Sequence, residues 1–159
     1  MPDSTKRMEQ EVTPTLEEVV RRRADLYQAI LALERAAARP AVEREQQWVE
    51  GVVAALEELE HEIVDHIEVT ERPDGLYDEI VKAAPRLGHK VQRLRDEHPE
   101  MQDATSALKA RLTSTSVGDA LPVAEARDEI QRVLGRLVKH RQLGADHSHF
   151  GGSYVHYDE

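Results

Sequence analysis

A chain of 159 residues is the size of one ordinary domain and long enough to bury a single core. Its 31 acidic against 21 basic residues leave a formal charge of −10, which argues against a nucleic-acid partner, because that affinity rests on clustered lysine and arginine. With no cysteine, disulfides, thiolate metal sites, thioether-linked haem and cysteine catalysis are excluded, so any metal must use nitrogen and oxygen donors.

A charged fraction of 33% with only 4% aromatics, and abundant Ala, Leu, Glu and Arg, is the usage of helices, so the expected class is all-α. No apolar stretch has the length of a membrane span, and residues 1–15 lack the pattern of a signal peptide. The expected compartment is the cytoplasm, with no membrane partner.

In chain order, residues 1–14 are polar and aperiodic and predict a disordered tail that ends at Thr13-Pro14. A first long helix is predicted from about Thr15 to Ala38, with Leu16, Val19, Leu26, Ile30, Leu33 and Ala37 on one face, stopped by Arg39-Pro40. Its basic run Arg21-Arg22-Arg23 reads as a solvated face. A second helix, from about Val42 to Glu71, turns Trp48, Val52, Leu56, Leu59 and Ile63 inward and ends at the turn Arg72-Pro73-Asp74-Gly75. A short helical piece over Leu76–Ala84 leads to Pro85. A third long helix follows from about Arg86 to Leu112, with Leu87, Val91, Leu94, Met101 and Leu108 inward. A linker over residues 113–122 precedes the last helix, which carries Ile130, Val133 and Leu137 on one face and runs from about Pro122 to Gly144. Four amphipathic helices on short loops predict an antiparallel up-down four-helix bundle over residues 15–146, followed by a His/Gly/Tyr-rich tail over 147–159.

Helical phase sorts the histidines. Steps of three and four return to one face. His66 therefore continues the row of Leu59 and Ile63, His98 that of Val91 and Leu94, and His140 that of Val133 and Leu137. His61 falls in phase with Glu57 and Asp65, and His89 with Arg93 and Asp96, so both are expected on the surface. One inward histidine is ordinarily a hydrogen-bonded core residue. Three on three helices point to metal binding, since neutral imidazole is the commonest metal ligand and bundle cores are where such sites are built. Glu71 and Asp146 are the nearest carboxylates in sequence, each needing a local distortion to share its histidine's face. His147, seven residues after His140, shares its face if the last helix continues. Imidazole and carboxylate without thiolate suit iron, manganese or zinc, and open positions favour iron in oxygen chemistry.

The segments HIEVTERPDGLYDEI (66–80), PRL (85–87), EH (97–98) and HRQLGAD (140–146), in this order, resemble the hemerythrin-like (HHE cation-binding) family of the actinomycete type. The resemblance implies a non-haem di-iron centre in an antiparallel four-helix bundle. It assigns His66 and Glu71 as ligands from the second helix, His98 from the third, and His140 with Asp146 from the fourth. The chain departs from the pattern in its first helix, which has no histidine: Tyr27 stands about where a ligand is expected, with Glu34 two turns on. It departs again in the third helix, where Leu94 and Gln102 flank His98 at the spacing of the family's histidine pair. The tail histidines His147, His149 and His156 would be able to fold back and supply missing ligands.

The function expected from this reading is a di-iron protein that binds or activates dioxygen, peroxide or nitric oxide. With few histidine ligands and open positions it is more suited to an oxidase, oxygenase or peroxide-consuming enzyme, acting on a small-molecule substrate, than to a carrier. The alternatives are a non-enzymatic oxygen or iron sensor or carrier, and a metal-free bundle in which the inward histidines form a hydrogen-bond network.

Overall fold

The computed structural model describes residues 4–114 and 121–148, with side chains over 16–114 and 121–144. Every regular element among the described residues is helical: α1 (Ser4–Ala38), α2 (Glu45–Glu71), α3 (Leu76–Ala83), a 3-10 turn (Pro85–Leu87), α4 (Gly88–Thr113) and α5 (Val123–Ser148). The all-α class and the four long helices are those read from the sequence. α1 and α4 each pack against both α2 and α5, so the long helices surround a common core. No helix among the described residues is long and apolar enough to cross a membrane.

Helix ends differ from expectation in three places. α1 starts at Ser4, so the segment 1–14, expected as a disordered tail, is helical from Ser4 onward. Lys6, Arg7, Met8, Glu9 and Gln10 have high helix propensity, which apolar periodicity alone does not weigh. α2 starts at Glu45 rather than Val42, because Glu43 takes a left-handed conformation at φ 63° in the turn after Pro40. α5 continues to Ser148 instead of stopping near Gly144.

The stripes predicted from phase are buried. In α2 they are Trp48, Val52, Leu56, Leu59 and Ile63; in α4 Val91, Leu94, Met101 and Leu108; in α5 Ile130, Val133 and Leu137. α1 is tied down at its C-terminal end, where the Trp48 indole donates to Ala37 O at 3.2 Å and the Arg127 guanidinium donates to Ala37 O at 3.1 Å. These bonds satisfy a carbonyl that the helix end leaves without an intrahelical partner.

Two apolar clusters divide the interior. The larger runs from Trp48 and Leu108 to Ile63, Met101 and Leu137. The smaller gathers Tyr77, Ile80, Ala84, Leu87, Val91 and Leu94, with Leu143 against it. α3 reaches this second cluster because the turn after α2 is tight. Asp74 sits in the left-handed region at φ 59°, which aspartate tolerates. A Cβ on Gly75 would come 2.7 Å from Arg72 Cγ and 2.8 Å from Arg72 O, so the close approach there requires glycine. His66 and His140 follow Ile63 and Leu137 of the larger cluster by one helical step, and His98 stands between Leu94 of the smaller cluster and Met101 of the larger.

Candidate metal centre

His66, His98 and His140 are 6%, 1% and 3% exposed, whereas His61 and His89 lie on the surface, as helical phase predicted. The three buried imidazoles present Nε2 to one another. His98 Nε2 is 3.2 Å from His140 Nε2, and His66 Nε2 is 3.3 Å from His140 Nε2. Their rings pack edge-on or tilted, with centroids 4.9 Å apart for His98 and His140 and 5.1 Å for His66 and His98. A metal about 2.1 Å from each nitrogen sets ligand nitrogens roughly 3.0 Å apart in octahedral and 3.4 Å apart in tetrahedral geometry. The separations fall between these limits, and the three histidines can hold a metal ion.

Two carboxylates fix which nitrogens face inward. Glu71 Oε2 lies 2.5 Å from His98 Nδ1, and Glu97 Oε1 lies 2.7 Å from His140 Nδ1. A carboxylate only accepts, so each Nδ1 carries the proton and each Nε2 is left with a lone pair. This is the arrangement in which an outer carboxylate sets the tautomer of a metal-ligating imidazole. Two lone pairs then face each other at 3.2 Å, a repulsive contact that a shared cation relieves. His66 Nδ1 meets no hydrogen-bond partner among the described residues.

Burial holds His66 well below the ordinary histidine range, with the neighbouring His98 and His140 adding to the effect. His98 and His140 are also lowered, by burial first, against the opposing pull of Glu71 and Glu97 respectively. The imidazoles are therefore neutral, as metal ligands must be. In the metal-free protein, below the ordinary value of about 6.5, the unfolded chain takes up protons that the folded chain refuses, so stability falls as pH drops. Each histidine contributes up to about 1.4 kcal/mol per pH unit. Urea unfolding of the metal-free protein at pH 7.5, 6.5 and 5.5 checks this, and a midpoint unchanged across that window would contradict it.

The Glu71 carboxylate was expected as a metal ligand, but it contacts the outer nitrogen of His98 instead, with Arg95 Nη1 3.5 Å from its other oxygen. From the end of α2 its short reach stops at the ring edge facing away from the other histidines. Tyr27 is 40% exposed beneath the Arg141 guanidinium, and Glu34 is on the surface, so neither joins the histidine cluster. The side chains of Asp146 and His147 lie outside the described residues, as do His149, His156 and the rest of the expected tail. In the second group of close donors, His61, Glu62 and Asp65, the Asp65 carboxylate contacts both His61 and Arg22 at 3.3 Å.

Three contributors were not expected. Glu97 adjoins His98 in sequence yet serves His140 on the neighbouring helix, a relation across helices that spacing within one helix does not reveal. Tyr77 on α3 is 3% exposed, stacks on His98 with centroids 5.8 Å apart, and places its hydroxyl 3.2 Å from His98 Nε2. Its phase with Ile80 and Ala84 was the available signal. Arg23, read as part of a solvated run, instead continues the α1 stripe between Val19 and Leu26. It is only partly exposed, with its guanidinium donating to Gly144 O at 3.3 Å. The step rule that sorted the histidines also applies to Arg23.

If Glu97 sets the His140 tautomer, Glu97→Gln should weaken metal binding about 10- to 100-fold, since an amide can turn its N–H₂ towards Nδ1 and favour the wrong tautomer. Competition with a chelator measures this, with His61→Ala as the neutral control. Equal affinities for both variants would remove Glu97 from the site.

The fold and the site rest on this chain's own residues: no family model, no curated protein and no solved structure matches it.

Proposed function

We propose that the chain is an antiparallel, up-down hemerythrin-like bundle whose inward histidines hold iron and present it to dioxygen, peroxide or nitric oxide. The ring order in which α1, α2, α4 and α5 pack, and the short connection between α1 and α2, support the topology. The observation that carries the metal reading is the pair of carboxylate-locked imidazoles, His98 and His140, whose Nε2 lone pairs meet at 3.2 Å. Among the described residues the converging donors suffice for one ion. The di-iron centre implied by the family resemblance needs further donors, for which Asp146 and His147 at the end of α5 are the candidates.

Bound iron would supply a redox-active Lewis acid. The chain's own residues keep its ligands neutral, fix their tautomers through Glu71 and Glu97, and exclude water through the α3 cluster. Three imidazole donors leave open positions, which favours an oxidase or peroxide-consuming enzyme over a carrier or sensor. Manganese and zinc accept the same donors.

The test is elemental analysis of the freshly purified protein, followed by optical spectra of the anaerobic reduced protein before and after dioxygen, peroxide or nitric oxide. Bound iron whose spectrum responds to one of these is the expected result. Zinc alone, with no spectral response, would contradict the proposal.

A metal-free network is the second reading, and one observation favours it. Tyr77 O–H can donate to His98 Nε2 at 3.2 Å and His66 Nε2–H to His140 Nε2 at 3.3 Å, so that of the six ring nitrogens of these three histidines only His66 Nδ1 lacks a partner among the described residues. In that case the purified protein carries no metal and takes none up.

A further inference from the structure

We propose that Arg95 on α4 positions His98 for the ion, by clamping the carboxylate at the edge of its ring and the tyrosine on its face. The inference deepens the metal reading above and rests on it. Arg95 Nη1 lies 3.5 Å from Glu71 Oε1, while Glu71 Oε2 lies 2.5 Å from His98 Nδ1. The same guanidinium stands over the Tyr77 ring at 5.4 Å, and Tyr77 stacks on His98 at an interplanar angle of 19°. Its Nη2 donates to Asp78 Oδ1 at 3.2 Å, one residue after Tyr77. One side chain, three residues before His98 on the same helix, therefore ties together the end of α2, the start of α3 and the imidazole between them.

The Glu71 carboxylate needs such an anchor. Glu71 is the last residue of α2, where a helix frays and where its dipole is negative, so the position opposes the charge. Asp78 brings a second carboxylate to the same guanidinium, and Arg95 offsets both. With one Glu71 oxygen held by Arg95, the other is left to accept from His98 Nδ1–H, which fixes the tautomer whose Nε2 lone pair faces the other histidines. Without Arg95, the partly exposed Glu71 can turn to solvent. His98 then has another choice, because an Nε2–H can donate to the Tyr77 hydroxyl oxygen at 3.2 Å. That tautomer offers the ion no lone pair at Nε2. A lysine keeps the charge beside Glu71 but lacks the planar fork that meets two carboxylates and lies over a ring at once.

The experiment compares the full chain as wild type, Arg95→Gln, Arg95→Lys and Arg93→Gln, the last an exposed position on the same helix. Zinc(II) affinity is read by competition with a chelator, and the histidine tautomers of the metal-free proteins by long-range proton–nitrogen NMR. Circular dichroism melting establishes that the variants fold. In Arg95→Gln an Nε2–H form of His98 should appear while His140 stays Nδ1–H, and zinc should bind about fivefold more weakly, the scale of one partly exposed ion pair. Arg95→Lys should recover most of this loss, and Arg93→Gln should match wild type. An unchanged His98 tautomer in Arg95→Gln would overturn the role of Arg95, as would a lysine variant no better than the glutamine one. Equal weakening in Arg93→Gln, or the same tautomer change at His140, would make the effect a general one and overturn it as well. Failure of the wild type to take up zinc would defeat the metal reading itself, while the tautomers would still decide whether Arg95 positions His98.

Discussion

Replacing His140 with alanine should leave the bundle folded and essentially without metal. His140 is central to the cluster: its Nε2 lies 3.2 Å from that of His98 and 3.3 Å from that of His66, while its Nδ1 is oriented by Glu97 at 2.7 Å. Removing it leaves two nitrogens, too few to hold an ion against water. The loss should exceed the roughly 100-fold that removal of an outer-sphere partner can cost. His98→Ala should behave alike. His89→Ala, on the exposed face of α4, should keep wild-type metal content. Metal per chain, measured by elemental analysis after gel filtration, distinguishes these variants. Equal content in His140→Ala and His89→Ala would show that the inward histidines are structural.

The largest effect on stability should come from the apolar core. Leu56 on α2 is fully buried within the larger cluster, and Leu56→Ala removes apolar contact and leaves a cavity that close-packed helices cannot fully collapse. A loss of about 3 kcal/mol is expected, lowering the melting temperature by roughly 6–12 °C at this chain length. Val42→Ala, at a position 82% exposed, should change it little. Thermal denaturation of the metal-free proteins followed at 222 nm measures both, and similar midpoints for the two variants would contradict the assignment of the core.

Much of the architecture was legible because the stripes of α2, α4 and α5 repeat without interruption at steps of three and four. The same regularity carried His66, His98 and His140 inward and left His61 and His89 outside. Helix ends were less legible. The start of α1 at Ser4 follows helix propensity rather than an apolar stripe in the sequence, and Glu43 enters a left-handed turn that sequence does not mark. Within the site, spacing along one helix located the ligands but not their partners. Glu97 adjoins His98 and serves His140, and Glu71 supports His98 from the end of another helix. Pairings between helices depend on their relative rotation and height, which a single amphipathic pattern leaves undetermined. Arg23 shows a different failure. A run of three arginines reads as solvated by composition, although the third lies in phase with Val19 and Leu26 and is only partly exposed.

Binding of one ion by the Nε2 atoms of His66, His98 and His140 together is visible in long-range proton–nitrogen NMR of the histidine side chains, recorded without metal and with one equivalent of zinc(II). Before zinc, His98 and His140 should be Nδ1–H tautomers. On addition, the Nε2 resonances of all three buried histidines should shift together while those of His61 and His89 stay in place. Buried Nε2 resonances unmoved by zinc, or shifts confined to surface histidines, would contradict a metal centre at this site.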